Sequence, residues 1–302
     1  MIGDGIWRPR DVTVASIQTM TARRARAKKS KNADRDYRTL LDTFECLIID
    51  EFHHCMADEW RGAIANSDAR YKLGLSATIF LDHDKEVELG AIWLTATTGP
   101  ILLNVSVSEL IEQGYLVRPE VKIIPIREPL LKGGWSASLF KAGISENPVR
   151  NERIVREAVD LSARGKRVVI ITNRLDQVSI LSEMITRAGA GTVTRSLVGS
   201  TNKEDRDLVL KSFKAGIIKI VISTVLDEGV DIPELDAVIV AEGGCDIKST
   251  YQRLRCLTPS PGKERAYIVD FCDLTHPYFA RHSKDRIQIY RSERAFKFKV
   301  VE

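Results

Sequence analysis

The second half of the chain alternates between short apolar runs and amphipathic stretches. Arg167-Val168-Val169-Ile170-Ile171-Thr172, Ile218 to Ser223, Ala237 to Ala241 and Ala266 to Asp270 are apolar runs of strand length, and Arg195-Ser196-Leu197-Val198 reads as a further short strand between two helical segments. Asn151 to Ala163, Leu175 to Arg187 and Lys203 to Ala215 carry helical periodicity, and Thr250 to Leu254 reads as a further short helix. Strands alternating with helices of roughly ten or more residues imply right-handed βαβ units and a parallel sheet. The first half is less regular. Asp11 to Ile17 alternates and is rich in β-branched residues, which predicts a strand ending at Gln18-Thr19-Met20. A helix start capped by Thr19 or Thr21 fits the same residues equally well. Cys46-Leu47-Ile48-Ile49 and Tyr71 to Leu75 read as strands, Trp93 to Pro100 as irregular, Ser108 to Gly114 as a short helix stopped by glycine, and Val121 to Ile126 as a strand. Lys132 to Ser136 has the composition of a loop. The expected domains are 1–117 and 118–302.

Chemistry enters at Asp50-Glu51-Phe52-His53, directly after the apolar run Cys46 to Ile49. In open α/β sheets ligands bind just beyond the carboxyl ends of strands. There Asp50 can hold Mg²⁺ through water, and Glu51 can orient the water that attacks a γ-phosphate. Two carboxylates that merely end a strand in solvent are the bland alternative.

Composition narrows the field. With 302 residues, 44% hydrophobic and 28% charged, the chain has the make-up of a two-domain soluble α/β protein. The net charge of +4 directs attention to local patches. Arg23, Arg24, Arg26, Lys28, Lys29, Lys31, Arg35 and Arg38 form one, either a phosphate track or a solvated loop. Five cysteines without paired spacing make neither a disulfide framework nor a zinc site. No stretch approaches the ~20 apolar residues that span a bilayer, and no secretory h-region is present. A cytoplasmic protein without membrane contact is expected.

Taken in order, Asp50 to His53, Ser76-Ala77-Thr78, Thr224 to Asp231 and Gln252 onward resemble motifs II, III, V and VI of superfamily 2 DEAD/DEAH-type helicases. The likeness is to bacterial and phage DNA repair or recombination helicases, and it runs over nearly the whole chain. The resemblance implies an α/β fold of two RecA-like (P-loop NTPase) parallel-sheet domains, the first incomplete, with ATP and Mg²⁺ as cofactors and nucleic acid, DNA in particular, as partner. It also assigns roles. Asp50 and Glu51 would serve the metal and the attacking water, and His53 would sense the cleft. Ser76 and Thr78 would couple the domains. Gly229, Asp231, Gln252 and Arg253 would line the nucleotide, and Arg255 would be the arginine finger. Gln18, Thr19, Thr172, Thr201 and Thr224 would hold the nucleic-acid backbone.

The chain departs from the family pattern at two places. The glycine-rich loop ending in Gly-Lys-Thr or Gly-Lys-Ser is absent, and Gly3-Asp4-Gly5 lacks both the lysine and the hydroxyl. This implies a chain that begins partway through the first domain, either a fragment or one half of a split enzyme whose phosphate loop comes from a separate chain. In the last motif the glycine is missing, and Thr258 stands where a second arginine is expected. Losing one residue on a helix rotates every later side chain by ~100°. The chain alone is therefore expected to hydrolyse ATP poorly. Two readings remain: a helicase or translocase acting as a fragment or half-enzyme, and a catalytically inactive nucleic-acid-binding remnant. A type I or type III restriction translocase subunit is a weaker third.

Overall fold

The computed structural model describes residues 1–3, 6–27, 40, 42–57, 60, 64, 67–76, 85–188, 193–225, 232–244 and 256–300. The chain folds into two compact units, Met1–Asn104 and Val105–Glu302. The division lies upstream of the boundary expected near Val117, because the helix Val107–Glu112 packs with the second unit. Its Ser108 donates from both hydroxyl and amide to Glu293 Oε2, at 2.6 and 3.0 Å.

In the first unit, β1 (Ile2–Gly3) and β2 (Ile6–Trp7) form an antiparallel pair, followed by α1 (Ile17–Ala27). The strand expected over 11–17 is corrected to a single bridge, Ala15 to Ile2. With no longer partner, Val12 and Val14 project into solvent despite their β propensity. Gln18 and Thr19 lie inside α1, whose start is capped by Ser16 Oγ accepting from Thr19 N at 3.2 Å. β3 (Cys46–Ile49) pairs in parallel with β4 (Tyr71–Gly74), Ile49 opposite Gly74. One face of this pair is covered: Ile49 packs with Phe52, Cys55, Ile64 and Leu94, flanked by Leu47, Trp60 and Trp93. Ile48, Tyr71, Leu73 and Leu75 are exposed. The irregular stretch expected at Trp93 to Pro100 is instead the end of a helix, α2 (Lys85–Thr98). There the threonine hydroxyls fold back, Thr97 onto Trp93 O and Thr98 onto Leu94 O, at 2.8 and 3.2 Å.

The second unit carries α3 (Val107–Glu112), β5 (Arg118–Ile126), α4 (Ala137–Phe140), α5 (Pro148–Ala163), β6 (Val168–Ile171), α6 (Leu175–Arg187), β7 (Thr194–Leu197), α7 (Lys203–Lys214), β8 (Ile220–Ser223), β9 (Ala237–Val240), β10 (Arg265–Asp273), α8 (Pro277–Ser292) and β11 (Lys297–Val300). Its seven-stranded sheet has the order β11-β5-β10-β9-β6-β8-β7, with every pair parallel. The continuous apolar runs are explained by position. β6, β8 and β9 are buried at every residue, and alternate side chains feed two cores. Val169, Ile171, Val221, Val238 and Val240 face Phe213 and Tyr290, whereas Val168, Ile170, Ile220, Ile222 and Ile239 face Ile154, Leu161, Leu181 and Ile185. Each such side chain removed from water contributes about 1.5–3 kcal/mol. Caps fix the helix starts: Ser106 and Glu109 form a capping box on α3, Asn147 caps α5 ahead of Pro148, and Asn202 caps α7. The fold is α/β, as expected. The expected helix at 250–254 lies outside the described residues. Among the described residues no helix is long and apolar enough to cross a membrane.

Candidate nucleotide and nucleic-acid sites

The acidic tip of β3 is built by a ladder that outlasts the strands. Leu75 N donates to Ile49 O and Phe52 N donates to Leu75 O, both at 2.8 Å, so the chain turns across the end of β4. That turn puts Glu51 at φ 48° and ψ 47°, the left-handed region, which costs an L-residue about 1–2 kcal/mol. Phe52 closes the turn from below, and glycine at position 74 makes room for it: a Cβ there would lie 2.2 Å from Phe52 Cδ1. Asp50 is left exposed, with its Oδ1 accepting from Glu51 N at 2.9 Å. Glu51 Oε2 lies 3.4 Å from Nδ1 of the buried His53, and the same nitrogen is 2.8 Å from Ser76 Oγ. The His53 and His54 rings are 4.3 Å apart, and His54 stacks on Trp60 at 5.8 Å. Burial pushes the Cys55 thiol up to about 12, which removes it as a nucleophile.

Of the residues expected here, Asp50, Glu51, His53 and Ser76 come together, while Thr78 lies outside the described residues. Ser76 was expected to link this acidic tip to the other domain, and its hydroxyl is engaged with His53 of the tip. The hard-oxygen carboxylates at an exposed strand tip suit water-mediated Mg²⁺. Gln18 is exposed on α1, and Thr19 Oγ1 accepts from Ser16 Oγ at 3.0 Å. Of the basic cluster, Arg23 lies over the Trp7 ring at 4.6 Å.

In the second unit, Thr172, Thr201 and Thr224 follow the carboxyl ends of β6, β7 and β8, which are neighbours in the sheet. Thr224 N donates to Leu197 O at 3.0 Å, and Thr201 Oγ1 accepts from Val198 N at 3.0 Å. Both threonines are half-buried at this edge. Thr172 differs: it is 1% exposed, and its hydroxyl donates to Gln177 Oε1 at 2.6 Å. Its hydroxyl is thus turned inward, toward Gln177, rather than to solvent. Gly229, Asp231, Gln252, Arg253 and Arg255 lie outside the described residues.

Sequence reasoning missed a set of buried charges at the end of β10. Arg150 and Arg286 are fully buried. Arg150 Nε donates to Asp273 Oδ1 and its Nη1 to Ala241 O, both at 2.8 Å. Arg286 grips Asp270 through Nε and Nη2, at 3.1 and 3.0 Å, donates to Gly244 O, and shares Asp270 with the Tyr290 hydroxyl at 3.0 Å. The signal was present in the stripe Phe279, Ser283, Arg286 and Tyr290, spaced i, i+4, i+7, i+11 as one core-facing helix surface.

Known proteins resemble the chain in both units. The family described as Helicase conserved C-terminal domain matches residues 150–255, and the one described as Type III restriction enzyme, res subunit, matches residues 8–81. A protein named as a helicase from a Sulfolobus islandicus filamentous virus is 26% identical over 285 residues, covering 88% of this chain and 49% of that protein. The DNA 3'-5' translocase XPB2 of Sulfurisphaera tokodaii is 23% identical over 273 residues, covering 74% of this chain and 58% of that protein. Among solved structures, a fragment of an HsdR subunit of a type I restriction enzyme from Vibrio vulnificus aligns with TM-score 0.65 at 15% identity, over 86% of this chain and 48% of that one. S. cerevisiae Dbp5 bound to RNA and ADP BeF3 aligns with TM-score 0.61 at 13% identity, over 99% of this chain and 68% of that one.

These solved structures share the RecA-like α/β fold of the chain. The family matches and the helicase-named relatives make the chain similar to helicases in both units. The chain spans about half the length of the viral relative it matches.

Proposed function

We propose that this chain is the working part of an ATP-dependent superfamily 2 helicase or translocase acting on DNA. The observation that carries the reading is the Asp50, Glu51, His53 and Ser76 cluster at the tip of β3. Glu51 orients and polarises the attacking water from a backbone setting that costs stability and so calls for a function. His53 sits between Glu51 and Ser76, within reach of both, and can pass a change at one to the other. Magnesium bound through water to Asp50 would neutralise charge on the phosphates. Arg255 supplies the transition-state charge. Thr201, Thr224, Gln18 and Thr19 contact the DNA backbone. The DNA preference is supported by the relatives named for DNA translocation and repair.

A second reading is favoured by Thr258, which occupies the place of an expected second arginine: a nucleic-acid-binding protein that keeps the fold without the motor. Phosphate release from Mg·ATP, with and without DNA, separates the two. Release that Glu51→Gln abolishes supports the motor. DNA binding with no release, even from the chain purified together with its cellular partners, supports the remnant.

A further inference from the structure

Lys263 is a buried charged group of the second unit whose place the proposed reaction leaves unexplained. It is 9% exposed, stands just before β10, and carries its charge inward. Its Nζ donates to Leu235 O at 2.6 Å, Thr258 O at 2.7 Å and Pro233 O at 3.0 Å. An ammonium has three protons on one atom, and here three backbone carbonyls converge on it. Burial pulls its pKa below the usual lysine value.

The acceptors come from two separate stretches. Pro233 and Leu235 belong to the turn that leads into β9, where the chain emerges after Thr224 to Asp231. Thr258 belongs to the passage into β10, where the chain emerges after Gln252 to Arg255. The second stretch is also held at its entry: Arg150 donates to Ala241 O at 2.8 Å and Arg286 to Gly244 O. At its exit, Val117 N donates to Leu257 O at 2.8 Å.

We propose that Lys263 is a positioning residue: it ties Pro233 and Leu235, at the entry to β9, to Thr258, on the approach to β10, so that these two passages open and close as one piece. The effect on turnover rests on the helicase reading above, whereas the tie itself does not. A purely space-filling role would be met by any unbranched apolar side chain of the same length. The convergence of three carbonyls is met only by a group with three protons, and that is the feature that requires lysine.

The test uses the full chain as wild type, Lys263→Met and Lys263→Arg, with hydrogen exchange read by mass spectrometry. In the wild type, amides of 232–236 and 256–258 should open together with one protection factor. In Lys263→Met the two should separate by roughly tenfold or more, with β6 and β8 unchanged. Lys263→Arg, which keeps the charge and several donors, should restore part of the common opening. Loss of protection throughout the second unit, or common opening that persists in Lys263→Met, would overturn the proposal. In a second arm, DNA-stimulated hydrolysis by the chain purified with its partners should lose kcat roughly tenfold in Lys263→Met at unchanged KM. If the wild type shows no hydrolysis, the helicase reading fails while the exchange result still decides the tie.

Discussion

Gly74→Ala probes the architecture of the acidic tip with one methyl group. The added Cβ would stand 2.2, 2.5 and 2.7 Å from Cδ1, Cγ and Cε1 of Phe52. Carbon atoms rest about 3.5–4.0 Å apart, so the ring must retreat by more than an ångström. It has little room, being 2% exposed and packed with Ile49, Cys55, Ile64 and Leu94. Overpacking of this kind costs about 1–3 kcal/mol. Gly74 is not among the positive-φ glycines. Alanine is therefore conformationally allowed there, and its lower unfolded-state entropy offsets about 0.4–1 kcal/mol. The decisive comparison is a double-mutant cycle with Phe52→Ala, which removes the ring. In that background Gly74→Ala should change sign and become neutral or stabilising. Urea unfolding monitored through Trp60 and Trp93, which pack against this cluster, reads the first unit directly. Equal costs of Gly74→Ala in the two backgrounds would refute the argument. Because Phe52 N anchors the turn to Leu75 O, Gly74→Ala alone should also weaken the contact between His53 and Ser76, seen as a shift in the His53 ring resonances.

Glu51→Gly should hold or raise stability by up to about 1 kcal/mol, since glycine accepts the left-handed backbone freely, while hydrolysis by the partnered chain is lost; a melting temperature that falls would contradict this. Arg286→Met should cost about 3–5 kcal/mol by leaving Asp270 buried beside a neutral side chain, measured as a lower urea midpoint of the second unit. Thr172→Val should lower stability by about 1–3 kcal/mol through the stranded Gln177 and leave DNA affinity unchanged, whereas Thr201→Ala should weaken DNA binding in fluorescence anisotropy. Iodoacetamide at pH 8 should modify exposed Cys46 and spare Cys55 and Cys256 in the native protein. Burial holds both spared thiols at about 12, which leaves on the order of one in ten thousand as thiolate at that pH.

The parallel sheet of the second unit was legible because its central strands are buried on both faces, so Val168 to Ile171, Ile220 to Ser223 and Ala237 to Val240 announce themselves. The helix Leu175–Arg187 was legible to the residue. Asp50 to His53 could be read because the strand before it is apolar. Other features depended on tertiary context. Val12 and Val14 have strand propensity but, among the described residues, no strand to pair with, and Thr95, Thr97 and Thr98 lower helix propensity in a segment that is helical nonetheless. Arg150, Arg286 and Lys263 were passed over because charge signals surface; only the carboxylates and carbonyls that the fold brings to them make their burial tolerable. Thr172 looked like a phosphate contact by position, and the direction of its hydroxyl toward Gln177 is set by packing that no local pattern encodes.

In the proposed motor the Glu51 carboxylate drives DNA-stimulated nucleotide hydrolysis. The direct measurement is steady-state phosphate release from Mg·ATP by the tagged chain, purified with the partners it keeps in its own cells, with and without DNA, for wild type and Glu51→Gln. Release should be stimulated by DNA and lowered ~10²-fold or more by Glu51→Gln, with DNA affinity retained. DNA-stimulated release that persists unchanged in Glu51→Gln would contradict this role of Glu51.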